Sequence, residues 1–125
     1  MLLDVGCATG DFLTVARNLG YLVEGLELSK WSSEIARKKG IRVYQKSLKE
    51  LSDKLPGRYD IITLWGVAEH FEHPLEEISY IKKLLNSLDL MKLSSFINSR
   101  ASKILSSAIC ASSYSFFSLY SFYNA

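Results

Sequence analysis

The first 86 residues alternate short apolar runs with amphipathic stretches. The apolar runs predict β-strands at residues 2–5, 21–28, 41–44 and 59–65. The amphipathic stretches predict helices at residues 12–19, 30–39 and 74–85, with a short helix or turn at 47–54. Strands that alternate with helices predict a parallel sheet with right-handed crossovers. The predicted fold class is therefore α/β, a Rossmann-like doubly wound parallel sheet that is incomplete at about four strands.

The helices carry boundary signals as well as apolar faces. Ser29 is placed to cap the second helix, and Pro74 opens the last one. The first helix is predicted to bury the face formed by Phe12, Val15, Ala16 and Leu19. The last is predicted to bury the face formed by Leu75, Ile78, Ile81 and Leu85. Both faces would pack on the sheet.

Residues 87–125 follow a different pattern. Twelve of these 39 residues are serine and four are charged. Neither the apolar spacing of a helix nor that of a strand is sustained. The uncharged stretch 104–123 is long enough to span a bilayer, but its seven serines disfavour a membrane helix. A translated frameshift or gene remnant accounts better for this composition. We expect a domain at residues 1–86 and an irregular or helical, Ser/aromatic-rich tail at 87–125 outside the core.

Composition narrows the class of protein. A chain of 125 residues forms one domain, and its net charge of +2 gives no electrostatic case for a nucleic-acid partner. Cys7 and Cys110 have neither metal-ligand spacing nor the number needed for a disulfide framework. A reducing cytoplasm is the expected location.

The residues that suggest chemistry lie where the first strand meets the first helix. Gly6 and Gly10 bracket a turn whose backbone a ligand could approach closely, because glycine has no side chain to obstruct it. In doubly wound sheets, ligands bind at the carboxyl ends of the strands. Glu27 ends the second strand, where a carboxylate accepts hydrogen bonds from both hydroxyls of a ribose. The pair predicts a nucleoside cofactor.

Two kinds of nucleoside cofactor remain to be compared. A dinucleotide site has the spacing G-x-G-x-x-G, with the pyrophosphate at the helix N-terminus. Here the spacing is G-x-A-x-G, and Asp11 follows it, where a carboxylate would repel a pyrophosphate. Asp4 adds a second carboxylate, which suits the ammonium and sulfonium of S-adenosylmethionine. Charge favours S-adenosylmethionine, and a nicotinamide-dependent oxidoreductase fragment is the less favoured alternative.

Three stretches together resemble a known family. They are L-L-D-V-G-C-A-T-G-D-F at 2–12, V-E-G-L-E-L-S at 23–29, and Y-D-I-I-T-L-W-G-V-A-E-H-F-E-H-P-L-E-E-I at 59–78. Their order and spacing resemble motifs of the class I S-adenosylmethionine-dependent methyltransferases. The E-H pair followed by proline is similar to the subgroup that includes ubiquinone-biosynthesis and sugar-type enzymes. The resemblance covers residues 1–86 and is absent beyond them.

The resemblance assigns roles to residues of the glycine-rich loop and its surroundings. It implies that Asp4 lies near the methionyl ammonium and that Gly6 and Gly10 shape the loop. Ala8 replaces the usual middle glycine of the motif. Trp65, at the end of the fourth strand, would border the methionyl group.

The remaining assignments concern the nucleoside half of the cofactor. The resemblance implies that Glu27 holds the ribose hydroxyls and that Leu28 packs beside the adenine. Ser47 and Leu48 fall where relatives often have an acid and an apolar residue in contact with adenine. Serine at this position departs from the family pattern and weakens that contact.

No catalytic residue is evident from the sequence. His70 is a candidate base that would deprotonate an acceptor. His70 and His73, beside Glu69 and Glu72, superficially have the spacing of metal ligands. No further cluster of potential ligands accompanies them, so no metal is expected.

The resemblance implies methyl transfer from S-adenosylmethionine to a small-molecule acceptor. Relatives have a helical region before the first strand and further strands after residue 85, so the chain is expected to be truncated at both ends. A remnant or module that binds the cofactor without catalysis is the alternative. The acceptor and the oligomeric state are left open by the sequence.

Overall fold

The structure is a computed structural model that describes residues 1–86 and, beyond them, the backbone of residues 93–96 and 118–119. The strands are β1 Leu2–Val5, β2 Val23–Leu26, β3 Arg42–Tyr44, β4 Ile61–Trp65, β5 Leu93–Phe96 and β6 Ser118–Leu119. The helices are α1 Asp11–Asn18, α2 Lys30–Lys38, α3 Leu48–Lys54 and α4 Pro74–Leu84, with a 3₁₀ turn at Ala68–His70. Strands and helices therefore alternate through the first 86 residues.

The strands form a parallel sheet in the order β3-β2-β1-β4-β5-β6. The chain builds outward from β1 through β2 and β3, and then returns to place β4 on the other side of β1. In β1, Asp4 is in register with Gly25 of β2 and Thr63 of β4. The predicted doubly wound α/β fold is confirmed, and it places a topological switch point beside β1, where such folds bind ligands.

The helices cover both faces of the sheet. One apolar cluster lies under α1 and α2 and contains Leu2, Cys7, Leu13, Ala36, Ile41 and Val43. The other lies under α3 and α4 and contains Leu3, Val5, Leu26, Leu48, Leu51, Tyr59, Ile62, Leu64, Ala68, Ile78, Ile81, Leu84 and Leu85. Neighbouring residues of β1 and β4 fall into different clusters, because alternate side chains of a strand point to opposite faces.

The first helix buries a different face from the one predicted. Leu13 and Ala16 are buried, whereas Val15 and Leu19 are 58% and 73% exposed. The reason lies in β2, where a Cβ at Gly25 would stand 3.1 Å from Leu13 Cδ1. The bare backbone of Gly25 admits Leu13 to the sheet surface, and this contact turns the helix away from the predicted face.

The last helix follows the prediction except at its first turn. Ile78, Ile81 and Leu85 are buried as predicted, but Leu75 is 68% exposed. Leu84 is fully buried and shifts the centre of the apolar stripe, which leaves Leu75 about 110° away from it at 3.6 residues per turn. The predicted helix starts are confirmed: the Ser29 hydroxyl caps α2 and Pro74 occupies the first turn of α4.

A buried carboxylate joins β2 to β3 and to the segment that precedes β4. Glu24 of β2 accepts hydrogen bonds from the Tyr59 hydroxyl at 2.7 Å, from Arg58 Nη2 at 2.7 Å, and from the Tyr44 hydroxyl at 3.2 Å. Burial alone would raise the pKa of Glu24, but the bonds from Arg58 and Tyr59 outweigh it and hold the pKa below its usual value. This network lies away from the carboxyl ends of the strands and stabilises the fold.

The structure adds two short strands that the pattern of residues 87–125 does not indicate. β5 pairs with β4, and β6 pairs with β5. Otherwise this segment, including the stretch 104–123, lies outside the described residues, so its predicted separation from the core stays a prediction. Within the described residues, no helix is long and apolar enough to cross a membrane. The cytoplasmic location also stays a prediction.

Candidate cofactor-binding site

One cleft of about 290 Å³ opens at the carboxyl ends of the first four strands. It is lined by Val5, Gly6, Leu26, Glu27, Leu28, Lys46, Ser47, Leu48, Val67, His70, Phe71 and Glu77. These residues come from the segments after β1, β2, β3 and β4, and from the first turns of α3 and α4. Its volume is at the lower end of the roughly 300–1,000 Å³ typical of small-molecule sites.

The glycine-rich loop between β1 and α1 forms one edge of this cleft. Gly6, Ala8 and Gly10 all have positive φ, at 71°, 47° and 77°. The Gly6 amide donates to Leu26 O at 2.7 Å, and the Gly10 amide donates to Cys7 O at 2.9 Å. The loop is therefore a tight turn fixed to β2, and Ala8 adopts a conformation in which glycine is usual.

Packing inside the protein also requires both glycines. A Cβ at Gly6 would overlap Val67 Cγ2, which belongs to the segment after β4. A Cβ at Gly10 would stand 2.7 Å from Ile41 Cδ1 and 3.0 Å from Ala36 Cβ. Gly10 is buried against the helical face of α2 and is not among the residues that line the cleft. Core packing therefore explains the glycine at position 10 without a ligand contact, and this competes with the interpretation of Gly10 as a cofactor-binding residue.

Glu27 links the two loops at the cleft edge. Its Oε2 accepts a hydrogen bond from the Ala8 amide at 2.9 Å, and its Oε1 accepts one from the Ser29 amide at 2.7 Å. Each carboxylate oxygen retains a further lone pair for a ligand. Glu27 therefore both fixes the local backbone and presents acceptors to the cleft.

Three other predicted residues, Leu28, Ser47 and Leu48, join Glu27 in the cleft. Leu28 is 69% exposed at its rim, and Leu48 is buried at its base. The Ser47 hydroxyl caps α3, since it accepts from the Glu50 amide at 3.2 Å and donates to Glu50 Oε2 at 2.9 Å. This capping box leaves the hydroxyl at most one free lone pair.

Asp4 and Trp65 are not among the lining residues of the cleft. The Asp4 carboxyl lies in the sheet interior and accepts a hydrogen bond from the Thr63 hydroxyl at 2.7 Å. Burial, opposed by the Thr63 bond and assisted by the charge of Glu27, raises the pKa of Asp4 to about 7. Trp65 is 40% exposed and packs against Phe12 of α1, with ring centroids 5.0 Å apart. Strand alternation directs both side chains to the α1 side of the sheet.

The candidate base His70 lines the cleft with a largely exposed side chain. Its Nε2 lies 3.7 Å from Glu69 Oε1. No group of three or more potential metal ligands occurs among the residues that the structure describes. Asp11, the residue expected to repel a pyrophosphate, forms an ion pair with Lys39 at 2.7 Å and lies outside the cleft lining.

Besides Val5 and Leu26, the last residues of β1 and β2, four cleft residues were not predicted from the sequence: Lys46, Val67, Phe71 and Glu77. Lys46 is part of a basic stretch that is typical of a solvated surface, and Glu77 is an ordinary acid for the first turn of a helix. Of these four residues, only Glu77 could have been found from the sequence. When Leu84 is included in the apolar stripe of α4, Glu77 lies beside the buried face of that helix. The others depend on how α3 and α4 pack together, which no local pattern records.

A parallel sheet with a switch point, a glycine-rich loop and a strand-end carboxylate in one cleft defines a Rossmann-like nucleoside-binding protein. The chain belongs to the methyltransferase domain family, whose model matches residues 1–122. Its class is that of the class I S-adenosylmethionine-dependent methyltransferases, and this confirms the motif resemblance. The match passes residue 86, so the expectation that the resemblance ends there was wrong; β5 lies in the additional stretch. Because the chain belongs to this family, it is not a fragment of a nicotinamide-dependent oxidoreductase.

Individual proteins agree with this assignment. A ubiquinone biosynthesis O-methyltransferase from Bordetella bronchiseptica is 33% identical over 79 residues, which are 58% of this chain and 33% of that protein. The solved structure of an S-adenosylmethionine-dependent methyltransferase from Mesorhizobium loti has 25% identity and a TM-score of 0.59, covering 68% of this chain and 41% of the other. The chain spans about a third of the length of the curated relatives it matches.

A further solved structure contains a bound product-like molecule. The plantazolicin methyltransferase BpumL, in complex with a triazolic desmethylPZN analog and SAH, has 25% identity and a TM-score of 0.60. The match covers 68% of this chain and 34% of that one. The fold of this chain is thus one on which S-adenosyl compounds are bound.

Proposed function

We propose that the chain binds S-adenosylmethionine in this cleft and acts in methyl transfer to a small-molecule acceptor. The observation that carries the proposal is the position of Glu27. Its carboxylate stands at the end of β2, beside the glycine-rich loop and inside a cleft with apolar walls. A vicinal diol can donate two hydrogen bonds to such a carboxylate.

The chain's residues suit the parts of this cofactor in turn. Glu27 would hold the ribose, with Gly6 and Ala8 providing close backbone at the loop. Leu28 and Leu48 offer apolar contact to the adenine, and Ser47 lies beside them. The negative charge of Glu27 supports the fit, because S-adenosylmethionine is cationic and has no phosphate group that this carboxylate would repel.

The methionyl end of the cofactor would lie near a different group of residues. Asp4 and Trp65 lie on the α1 side of the loop, outside the cleft lining, and we propose that the methionyl group extends toward them. A cationic group near Asp4 would favour its ionised form, because opposite charge stabilises a carboxylate. Gly10 supports the loop from the core side in this assignment.

When bound, the cofactor supplies a methyl group on a cationic sulfur to an attacking nucleophile. The chain would contribute position, because the glycine-rich loop and Glu27 would hold the nucleoside and so orient the methyl group for attack. His70, at the cleft and largely exposed, is placed to accept a proton from an acceptor hydroxyl. An oxygen acceptor is favoured by the name of the curated relatives.

Calorimetric titration tests the proposal directly. The purified chain is titrated with S-adenosylhomocysteine and, separately, with NADH. We expect saturable binding of S-adenosylhomocysteine and none of NADH. Binding of NADH alone would overturn the proposal. Binding of S-adenosylhomocysteine without methyl transfer to any of a panel of hydroxylated small molecules would reduce it to cofactor binding.

A further inference from the structure

Glu77 is a cleft residue to which neither the motifs nor the relatives assign a role. It lies in the first turn of α4, is half-buried, and lines the same cleft as Ser47. Its backbone amide donates to His73 O, but among the described residues its carboxyl group makes no hydrogen bond or ion pair. A polar side chain that is half removed from water without a partner has unused hydrogen-bonding capacity.

Ser47 does not supply a carboxylate acceptor to this cleft. The sequence resemblance implies an acid in contact with adenine at this position, whereas the serine hydroxyl of this chain is engaged in the α3 capping box. The exocyclic amino group of adenine is a hydrogen-bond donor that needs an acceptor. The side chain of the neighbouring Lys46 carries only donors, so it cannot supply this acceptor.

The carboxyl group of Glu77 has the complementary chemistry. Its carbonyl oxygen accepts a hydrogen bond from an amino group, and its protonated form also donates one to the adjacent ring nitrogen N1. Burial, with a smaller contribution from the charge of Glu76 and opposed by His73, raises the pKa of Glu77. The ionised form also accepts a hydrogen bond from the amino group, so the acceptor role does not depend on protonation.

Apolar side chains line the same cleft as Glu77. Phe71 is half-buried on the α4 side of the cleft, and Leu28 and Leu48 lie on the β2 and β3 sides. A purine between these side chains would have its faces against carbon and its edge available for a polar contact.

We propose that Glu77 recognises the amino edge of adenine and supplies the acceptor that Ser47 does not. The inference rests on the proposed function, since it assumes that the cleft receives an adenosyl group. It makes Glu77 a residue that determines specificity for the base, and it leaves the methyl-transfer chemistry to other groups.

A cycle of protein and ligand variants tests this role. S-adenosylhomocysteine is compared with its 6-deamino analogue, in which hydrogen replaces the amino group, on the wild-type chain and on Glu77→Leu. We expect the wild type to prefer the amino form by about 10-fold, the value of one well-made hydrogen bond in a partly buried site. Glu77→Leu should bind both compounds within about twofold of each other.

Glu76→Leu is the matched control, because Glu76 is exposed on the same turn of α4. It should keep the wild-type preference, and thermal unfolding of all three proteins checks that they are folded. If Glu77→Leu is unfolded, Glu77→Ala with the same two ligands replaces it, and it should likewise bind both compounds within about twofold of each other because it has no side-chain acceptor. An unchanged preference in a folded Glu77 variant overturns the inference, whereas failure of the wild type to bind S-adenosylhomocysteine overturns the proposed function itself.

Discussion

Glu27 illustrates how one residue serves both the fold and the site. Its two oxygens hold the Ala8 and Ser29 amides, and its free lone pairs face the cleft. Substitution therefore removes an acceptor for the ligand and also releases two backbone groups. Both effects act in the same direction on binding.

We expect Glu27→Ala to weaken S-adenosylhomocysteine binding by about 1.5–3 kcal/mol, or roughly 10- to 150-fold, because charge-assisted hydrogen bonds are lost. Calorimetry measures the change. Glu34→Ala, at an exposed position of α2, is the control and should bind as the wild type does. Equal affinities for Glu27→Ala and the wild type would remove Glu27 from the site.

Gly10 leads to a different prediction from the one its motif suggests. The motif alone indicates that Gly10→Val abolishes binding more than it lowers stability. The structure places the added atoms against Ile41 and Ala36 in the core, at a φ of 77°. We expect Gly10→Ala to lower stability by about 2–4 kcal/mol, from left-handed backbone strain and overpacking together.

The matched variant for Gly10 is Gly20→Ala. Gly20 also has positive φ, 93°, but nothing lies within 4 Å of an added Cβ. It should show the backbone strain alone, about 1–2 kcal/mol. Urea unfolding of both variants separates the two contributions, and equal losses would show that the contact with Ile41 and Ala36 is unimportant.

At the level of helices and strands, the local patterns predict position better than orientation. The apolar runs located all four strands of residues 1–86, and Ser29 and Pro74 located two helix starts. The buried face of α1 was mispredicted because Gly25, on a neighbouring strand, determines which side chain can approach the sheet. Such a contact is tertiary, and periodicity along α1 carries no information about it.

The same distinction applies to the site. The glycine-rich loop and Glu27 were predictable, because a short chain segment and a strand end determine their positions. Val67 and Glu77 were not, because they reach the cleft only through the packing of α4 on α3 and of the β4 segment on Gly6. The placement of Asp4 on the opposite side from the cleft follows from strand alternation, but only once the cleft is located.

The α3 capping box gives a prediction for one element. Ser47→Ala removes the side-chain acceptor for the Glu50 amide and the hydroxyl donor to the Glu50 carboxylate, which keeps its bond from the residue 47 amide. We expect a loss of about 1 kcal/mol in the free energy of unfolding, measured with urea. Ser29→Ala, which removes the cap of α2, should cost a similar amount. No loss in Ser47→Ala would mean that α3 is held by its buried leucines alone.

For the molecule as a whole, two buried carboxylates make stability depend on pH in opposite senses. The pKa of Asp4 rises from 3.8 to about 7 on folding, so the folded state binds the proton more tightly than the unfolded state. Stability should therefore fall as pH rises from about 4 to 7 and then level off. The pKa of Glu24 is lowered, so its contribution is present above about pH 4.5 and is lost as pH falls further.

Asp4→Asn should remove the first of these dependences. The amide keeps an acceptor for the Thr63 hydroxyl and carries no charge, so the variant should be more stable than the wild type at pH 8. Melting temperatures from pH 4 to 8 measure the effect. Parallel profiles for the two proteins would contradict a raised pKa of Asp4.

Glu24→Gln should act on the acid side. It breaks the ion pair with Arg58 at the amino end of the sheet, so stability at pH 7 should fall by roughly 3 kcal/mol, as for a buried pair that loses one partner. The decline in melting temperature below pH 4.5 should become shallower, and a profile that stays parallel to the wild type would exclude Glu24 as its source.

The hydrogen bonds that Glu27 accepts from the Ala8 and Ser29 amides affect the kinetics of ligand binding. Hydrogen bonds to Leu26 and Glu27 fix the conformation of the loop from Gly6 to Gly10 before any ligand binds. Its conformational entropy is lost during folding, so little remains to be lost on association. Encounter should then proceed without a slow rearrangement of this loop, and differences in affinity among related ligands should lie in their dissociation rates.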